Sequence, residues 1–277
     1  MSRRSATRFA LIGFGGIGRT LVARLAREQA AGLECVGVLV RDPRVAEVQR
    51  ELADGCRAVS RISELLALAL SLVAECGGHQ ALRQYGEAVL GAACGLVTIS
   101  SGAFADSGLE TRLRRAACEG GGRILLPAGA LAGIDGLAAA RHGGLTSVTY
   151  TGRKPVAAWR GTAAERAITL EGLTEPAAFF DGDARQAARD YPQNANVAAT
   201  IALAGVGFEA TRVRLVADPA GSANLHELVY EGAFGRARIE IAGRPSPENP
   251  RTSLLTALSV WRALLDEAGA SILIAGA

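Results

Sequence analysis

The sequence has few cysteines and no long apolar segment, and each shortage excludes a class of protein. Its five cysteines are scattered, odd in number and without CxxC spacing, so they predict neither a disulfide framework nor a metal site. No apolar run approaches the ~18–20 residues that a membrane helix needs. No signal-peptide pattern follows the basic first residues. We therefore expect a cytoplasmic protein that has no membrane partner and holds no metal.

A large excess of either charge is also missing. The formal net charge is +3 and no basic block stands out, which argues against a nucleic-acid partner. Lysine is the scarcest charged residue, because Lys154 is the one lysine among 30 Lys+Arg residues. Ammonium and guanidinium groups differ in geometry and titration. Lys154 therefore either has a role that arginine cannot fill or remained by chance.

Apolar residues are plentiful enough for a substantial core. They make up 49% of the 277 residues, and the mean hydropathy is +0.20. A chain of this length fits two modest domains or one large one. Function must therefore be sought in local motifs rather than in the overall composition.

The first informative motif is a set of glycines behind a short apolar run. Residues 9–12 are apolar, the spacing GxGxxG follows, and apolar residues then recur at helical intervals. Strand, glycine turn and helix in this order predict the opening of a dinucleotide-binding βαβ unit. The pyrophosphate of the cofactor would lie on the free amides at the start of the helix. The expected contacts are made by Gly13, Gly15, Gly16, Ile17 and Gly18.

The end of the second predicted strand bears on the choice of cofactor. An acidic residue there usually binds the ribose 2′-hydroxyl of NAD, whereas an arginine accommodates the 2′-phosphate of NADP. This strand ends in Arg41 and Asp42, one of each kind. The sequence therefore predicts a nicotinamide cofactor and leaves NAD or NADP open.

The order of apolar segments predicts an α/β fold of two domains. Residues 1–130 alternate apolar strands with helices, as a Rossmann-type parallel sheet requires. Residues 131–250 contain strands with alternating polarity, such as 233–241, together with predicted helices that include 175–180. We expect this second part to be a smaller α+β domain for substrate binding and dimerisation, with a mostly antiparallel sheet.

The last segment, residues 251–277, is predicted to return to the Rossmann domain. Apolar residues at helical spacing predict a helix over 253–265. A short apolar run predicts a terminal strand over 271–274.

Three histidines limit the choice of acid–base groups. His142 lies beside two glycines at a predicted helix end, as a solvated residue would. His79 follows the carboxyl end of a predicted parallel strand, so it lines the cofactor cleft or belongs to an ordinary loop. His226 lies in a predicted strand on the same face as Asn224. It is either a group for acid–base chemistry near neutral pH or a structural histidine.

Two asparagines introduce a small-residue helix that is predicted to begin near Asn196. Asparagine at a helix start ordinarily caps the helix, and this is the simpler interpretation for either Asn194 or Asn196. The other amide could project toward a ligand.

These segments together resemble the L-aspartate dehydrogenase family of NAD(P)-dependent amino-acid dehydrogenases. The resemblance covers almost the whole chain, and the asparagine run and the segment around His226 are its most specific parts. The matching segments are GFGGIG (13–18), EC (75–76), SGAFAD (101–106), LPAGA (126–130), RKP (153–155), YPQNANVA (191–198), NLHE (224–227) and NPRTS (249–253).

The resemblance implies a reaction and several roles. It implies that His226 is the catalytic residue and that Ala130 and Asn196 contact the nicotinamide cofactor. It implies reversible oxidative deamination of L-aspartate to iminoaspartate, which water converts to oxaloacetate and ammonia. It also implies a homodimer and, in many bacteria, a supply of iminoaspartate to pyridine nucleotide (NAD) biosynthesis.

The implied reaction needs a base and partners for two carboxylates. The substrate amine must be neutral, because its lone pair drives hydride from Cα to the nicotinamide. We expect His226 to act as the base. Lys154, followed by Arg153, is the candidate partner for the carboxylates, and His79 is a further substrate-binding candidate.

Two alternatives remain open at this point. One is a related two-domain reductase that acts on another amino acid, a semialdehyde or a cyclic imine. The other is a non-catalytic dinucleotide-binding redox sensor.

Overall fold

The chain forms two compact units, which we call the first unit and the second unit. The first unit runs to Pro127 and includes the chain again from Thr256, whereas the second contains Ala128–Ser246 and Pro250–Leu255. Each unit is built around one main sheet of its own. The computed structural model describes residues 6–28, 32–192, 195–246 and 249–269.

The first unit is a parallel sheet whose strands are connected through helices. Its six strands lie in the order β3-β2-β1-β4-β5-β6, and every neighbouring pair is parallel. The strand order reverses between β1 and β4, which is where doubly wound sheets bind ligands. This confirms the predicted Rossmann-type sheet. In chain order the elements are β1 (Thr7–Ile12), α1 (Gly16–Glu28), β2 (Leu33–Leu39), α2 (Val45–Gln49), β3 (Arg57–Val59), α3 (Ile62–Leu66), β4 (Leu72–Glu75), α4 (His79–Gly91), β5 (Gly95–Thr98), α5 (Ser107–Gly120) and β6 (Arg123–Leu125).

The last described helix belongs to the first unit from Thr256 onward. This helix, α10 (Leu254–Glu267), places Val260, Trp261 and Leu264 in the same buried cluster as Phe9 of β1. The Trp261 indole N–H donates to Glu28 at 2.8 Å, so the buried ring has a partner for its one polar atom. The strand predicted over 271–274 lies outside the described residues.

The second unit contains a mixed, mostly antiparallel five-stranded sheet in the order β11-β10-β7-β9-β8. All its neighbouring pairs are antiparallel except β7 with β9. A pair of short strands, β12 and β13, is separate from it. This confirms the predicted fold class. In chain order the elements are α6 (Ile134–Ala140), β7 (Leu145–Pro155), α7 (Ala164–Ala167), β8 (Ala177–Asp183), α8 (Ala184–Asp190), α9 (Ala195–Ala204), β9 (Arg212–Asp218), β10 (Asn224–Gly232), β11 (Gly235–Gly243), β12 (Pro245–Ser246) and β13 (Asn249–Ser253).

The helix predicted over 175–180 is wrong, because residues 177–180 lie in the edge strand β8. β8 pairs antiparallel with β9. Its two phenylalanines contact other aromatic rings: Phe179 lies 4.7 Å from Trp159 and Phe180 lies 5.3 Å from Tyr191, measured between ring centroids. Pairing and aromatic packing from distant parts of the chain therefore outweigh the weak local helical pattern.

Candidate functional site

The glycine turn between β1 and α1 depends on the absence of side chains at two positions. Gly13 has φ +92°, and a Cβ there would lie 2.7 Å from the Cα of Gly77. A Cβ on Gly18 would lie 2.8 Å from the carbonyl oxygen of Gly13. Gly13 thus permits both the left-handed turn and close contact with the loop after β4, and Gly18 lets the helix pack against the turn.

The third glycine of the motif faces open space. Gly15 is exposed, and nothing lies within 4 Å of the position that a Cβ would occupy there. The protein around Gly15 therefore does not require glycine, whereas a ligand that approaches the backbone closely would require it. α1 begins at the next residue, Gly16, so the first-turn amides of Gly16, Ile17 and Gly18 have no acceptor within the helix. Free amides at the positive end of a helix dipole fit a pyrophosphate.

A buried carboxylate organises the loop that faces the glycine turn. One Glu75 oxygen accepts hydrogen bonds from the amides of Gly77 and Gly78, both at 2.7 Å, and the other accepts from the Thr98 hydroxyl at 2.7 Å. Burial raises the pKa of Glu75, against the effect of these donors. His79 is the first residue of α4 and is half-buried directly after this loop.

Arg41 and Asp42 are both exposed, just beyond the end of β2. Arg41 has an extended backbone and precedes a short 3-10 turn that begins at Asp42. Asp42 lines a cavity of about 470 Å³ together with Val45, Arg57 and Ser60. The two side chains that bear on the choice of cofactor therefore remain accessible.

In the second unit, His226 is buried beside Tyr150. The imidazole is 5% exposed and the phenol 2%, and the Tyr150 hydroxyl lies 2.8 Å from Nδ1 of His226. His226 is opposite Gly152 across β10 and β7. A Cβ on Gly152 would lie 2.7 Å from the Tyr150 hydroxyl, so this glycine leaves the space through which the phenol reaches the histidine.

Lys154 shares this face of the sheet because Tyr150, Gly152 and Lys154 alternate along β7. Its ammonium group lies 5.1 Å from the ring centroid of Trp159, a cation–π geometry. Burial lowers the pKa of Lys154 to about 8. Burial, together with the positive charge of Lys154, lowers the pKa of His226 to about 4. At neutral pH the imidazole is therefore uncharged, and Lys154 is the group that titrates close to neutrality.

The other candidates of the second unit do not share the sheet face of His226, Tyr150 and Lys154. Arg153 projects to the opposite face of β7, and its guanidinium lies 3.4 Å from Asp218. Ala130 is buried in a turn ahead of α6. Asn196 is exposed in the first turn of α9, which begins at Ala195. Asn194, the alternative cap, lies outside the described residues.

Sequence reasoning missed Tyr150. The alternation of Tyr150, Gly152 and Lys154 was a signal that these residues share a face. Their meeting with His226 depends on the pairing of β7 with β10, about seventy residues later, and that register cannot be read from either segment alone.

Comparison with known proteins agrees with this geometry. A model of the homoserine dehydrogenase NAD-binding domain matches residues 13–127, and a model of the aspartate dehydrogenase C-terminal domain matches residues 135–267. The L-aspartate dehydrogenase of Ruegeria pomeroyi is 46% identical over 93% of this chain and 91% of its own length. The chain belongs to the L-aspartate dehydrogenase family. This makes it a member of a family of oxidoreductases, and its first unit is an NAD(P)-binding domain.

Two further relatives support the same family assignment. The L-aspartate dehydrogenase of Pseudomonas aeruginosa is 43% identical over 94% of this chain and 97% of its own length. The crystal structure of aspartate dehydrogenase from Thermotoga maritima has a TM-score of 0.75 and 25% identity, covering 98% of this chain and all of that one. The resemblance to the L-aspartate dehydrogenase family is therefore confirmed over nearly the full length.

Two negative observations apply to the part of the chain that the structure describes. Among those residues, no helix is both long and apolar enough to cross a bilayer. The same residues include no group of three or more His, Cys, Asp or Glu side chains placed to hold a metal ion.

Proposed function

We propose that this protein oxidises L-aspartate to iminoaspartate with NAD or NADP, and that water then yields oxaloacetate and ammonia. The observation that carries the proposal is the buried cluster of His226, Tyr150 and Lys154 on one face of the second unit's sheet. An amine of lowered pKa is suited to the proton transfer of amine oxidation, and a neutral imidazole beside it can form a hydrogen bond with the substrate. The names of the relatives supply the substrate.

The first unit has the features that a nicotinamide dinucleotide requires. The open approach at Gly15 and the free amides of Gly16, Ile17 and Gly18 would hold the pyrophosphate, with Gly13 shaping the turn. The cofactor, when bound, supplies the hydride acceptor of the reaction. Ala130 and Asn196 are proposed as its contacts from the second unit, on the basis of the family.

Lys154 is proposed to take the proton from the substrate's α-ammonium group. Its pKa of about 8 leaves a useful fraction of neutral amine near neutral pH, whereas an imidazole with a pKa of about 4 is a weak base there. His226 is proposed to contact the substrate through Nε2, because Nδ1 is occupied by Tyr150. This changes the expected roles: His226 remains catalytic, and Lys154 accepts the proton instead of only pairing with a carboxylate. Arg153 is the weaker carboxylate candidate, because it lies on the other face beside Asp218.

The second unit is proposed to form a homodimer through the sheet face opposite His226. On that face Leu225 and Val229 are half-buried apolar residues, next to the ion pair of Arg238 with Glu227. Apolar side chains rimmed by charges are typical of interfaces between protein chains. Light scattering after gel filtration tests this: twice the chain mass is expected, and a monomer at micromolar concentration would contradict it.

Four wider expectations belong to the same proposal. NADP is proposed as an alternative cofactor on the basis of Arg41, and His79 as a substrate or cofactor contact at the start of α4. Cytoplasmic location is proposed from the scattered cysteines. The release of iminoaspartate suits a role in NAD biosynthesis, where the imine must be captured before water reaches it.

The proposal is tested by initial rates of NADH or NADPH formation with a panel of substrates. L-Aspartate is expected to exceed L-glutamate and L-homoserine with either cofactor. His226→Ala is expected to lower turnover about 10- to 100-fold through the loss of a hydrogen bond to the charged substrate, while NADH still binds to the first unit. Retention of turnover within about threefold would remove His226 from catalysis. Preference for another substrate would favour the related-reductase alternative.

A further inference from the structure

The hydroxyl group of Tyr150 is buried against one nitrogen of His226, and none of the proposed proton transfers uses it. Its oxygen lies 2.8 Å from Nδ1. The two rings are nearly parallel, at 18°, with their centroids 6.0 Å apart. In the described part of the chain, Nδ1 is the one hydrogen-bond partner recorded for this hydroxyl. Among the described residues, Nδ1 of His226 is therefore the one acceptor to which the Tyr150 hydroxyl can donate.

This contact determines which nitrogen of the neutral imidazole carries the proton. A neutral imidazole has one N–H and one acceptor nitrogen, and the bond at one nitrogen fixes the state of the other. If Nδ1 accepts from Tyr150, the buried O–H is satisfied and the proton lies on Nε2. If Nδ1 donates instead, the O–H is left without an acceptor. That loss is enough to favour the first arrangement by roughly tenfold or more.

The atom Nε2 is in turn available for a ligand. Tyr150 occupies Nδ1 and not Nε2, and the residue keeps a 5% exposed fraction.

We propose that Tyr150 is a positioning residue that holds His226 with its proton on Nε2, so that His226 donates a hydrogen bond to a carboxylate oxygen of the substrate. This deepens the proposed function and rests on it, because His226 contacts a substrate only there. Both groups remain neutral at pH 7, because burial raises the pKa of Tyr150 and lowers the pKa of His226 to about 4. A donor to a carboxylate is charge-assisted and fixes the direction of the substrate.

The position of the proton can be measured without turnover. Long-range proton–nitrogen correlation spectra of the full chain with isotope-labelled histidine distinguish protonated from unprotonated ring nitrogens, and three histidines keep the spectra simple. The signals of His226 are those that disappear in His226→Gln. We expect an unprotonated Nδ1 and a protonated Nε2 at neutral pH. A wild-type spectrum with the proton on Nδ1 would overturn the proposal.

Variants then test whether Tyr150 is the cause. Tyr150→Phe removes the hydroxyl, and Gly152→Ala places a methyl group 2.7 Å from the hydroxyl oxygen, so that the phenol must shift; a result from either variant is sufficient. Both should mix the two tautomers of His226 and lower kcat/KM for L-aspartate about tenfold, with KM for NAD unchanged. The matched control is Tyr230→Phe, which removes a buried tyrosine hydroxyl on the same face of β10 but away from His226. Tyr230→Phe should change neither the tautomer of His226 nor kcat/KM for L-aspartate.

The outcomes separate this proposal from the proposed function. An unchanged tautomer in Tyr150→Phe, with wild-type activity on L-aspartate intact, refutes the positioning role alone. A wild-type protein with no activity on L-aspartate refutes the proposed function, whatever the spectra show.

Discussion

Replacing Lys154 with arginine tests whether this side chain takes the proton of the substrate's ammonium group. Arginine keeps the positive charge but does not lose its proton in proteins. Lys154 differs from an ordinary lysine because burial lowers its pKa to about 8. The substitution therefore removes the capacity to accept a proton while it leaves a cation beside Trp159.

The size of the effect follows from that pKa. With a pKa of about 8, about one lysine in eleven is neutral at pH 7 and about ten in eleven at pH 9. The kcat/KM of the wild-type protein should therefore rise about tenfold between these two values. Lys154→Arg should lower kcat/KM by about 10²- to 10⁴-fold, the usual contribution of a positioned base, and the remaining activity should lose this rise.

The assay is the initial rate of NADH formation at saturating NAD and varied L-aspartate, measured across neutral and alkaline pH. The parameter to compare is kcat/KM, because its pH profile reports the pKa values of the free protein. The control is Arg153→Gln, which changes the neighbouring cation on the opposite face of β7 and should keep the rise. A rise that survives in Lys154→Arg, or one centred near pH 6.5 that disappears in His226→Ala, would refute the reasoning.

Four other predictions concern the first unit. Gly13→Ala should lower the free energy of unfolding by about 1–3 kcal/mol, because Gly13 has a φ of +92° and a Cβ there would contact Gly77. Gly15→Ala should leave urea unfolding unchanged but weaken NADH binding in a fluorescence titration. Arg41→Ala should raise Kd for NADP more than Kd for NAD, and equal effects would remove Arg41 from the cofactor site. Trp261→Ala should cost about 3–5 kcal/mol of stability in urea unfolding, whereas a loss below about 1 kcal/mol would contradict its place in the core.

The parts of the fold that follow local rules could be predicted from the sequence. The glycine turn is one, because strand, turn and helix lie within 22 consecutive residues and Gly13 and Gly18 each have a separate steric reason. The parallel sheet is another, because its strands are near-continuous apolar runs. In both cases the residues that determine the local structure lie close together in the sequence.

The candidate site of the second unit could be predicted only in part. His226 and Lys154 stood out because their residue types are rare in this chain. Their common face and the effect of Lys154 on the pKa of His226 follow from the register of two strands far apart in sequence. The edge strand β8 was missed for a similar reason, since its pairing with β9 and its aromatic contacts come from elsewhere.

The place of α10 in the first unit has a consequence for how the protein is made. Synthesis proceeds from the N-terminus, so the strands of the nucleotide-binding sheet leave the ribosome long before Val260, Trp261 and Leu264, which fill part of its core. The second unit is contained within one stretch of chain apart from its short C-terminal segment and can form earlier. The domain encoded first is thus expected to finish folding last, and a nascent chain arrested before residue 254 should hold an incomplete cofactor domain.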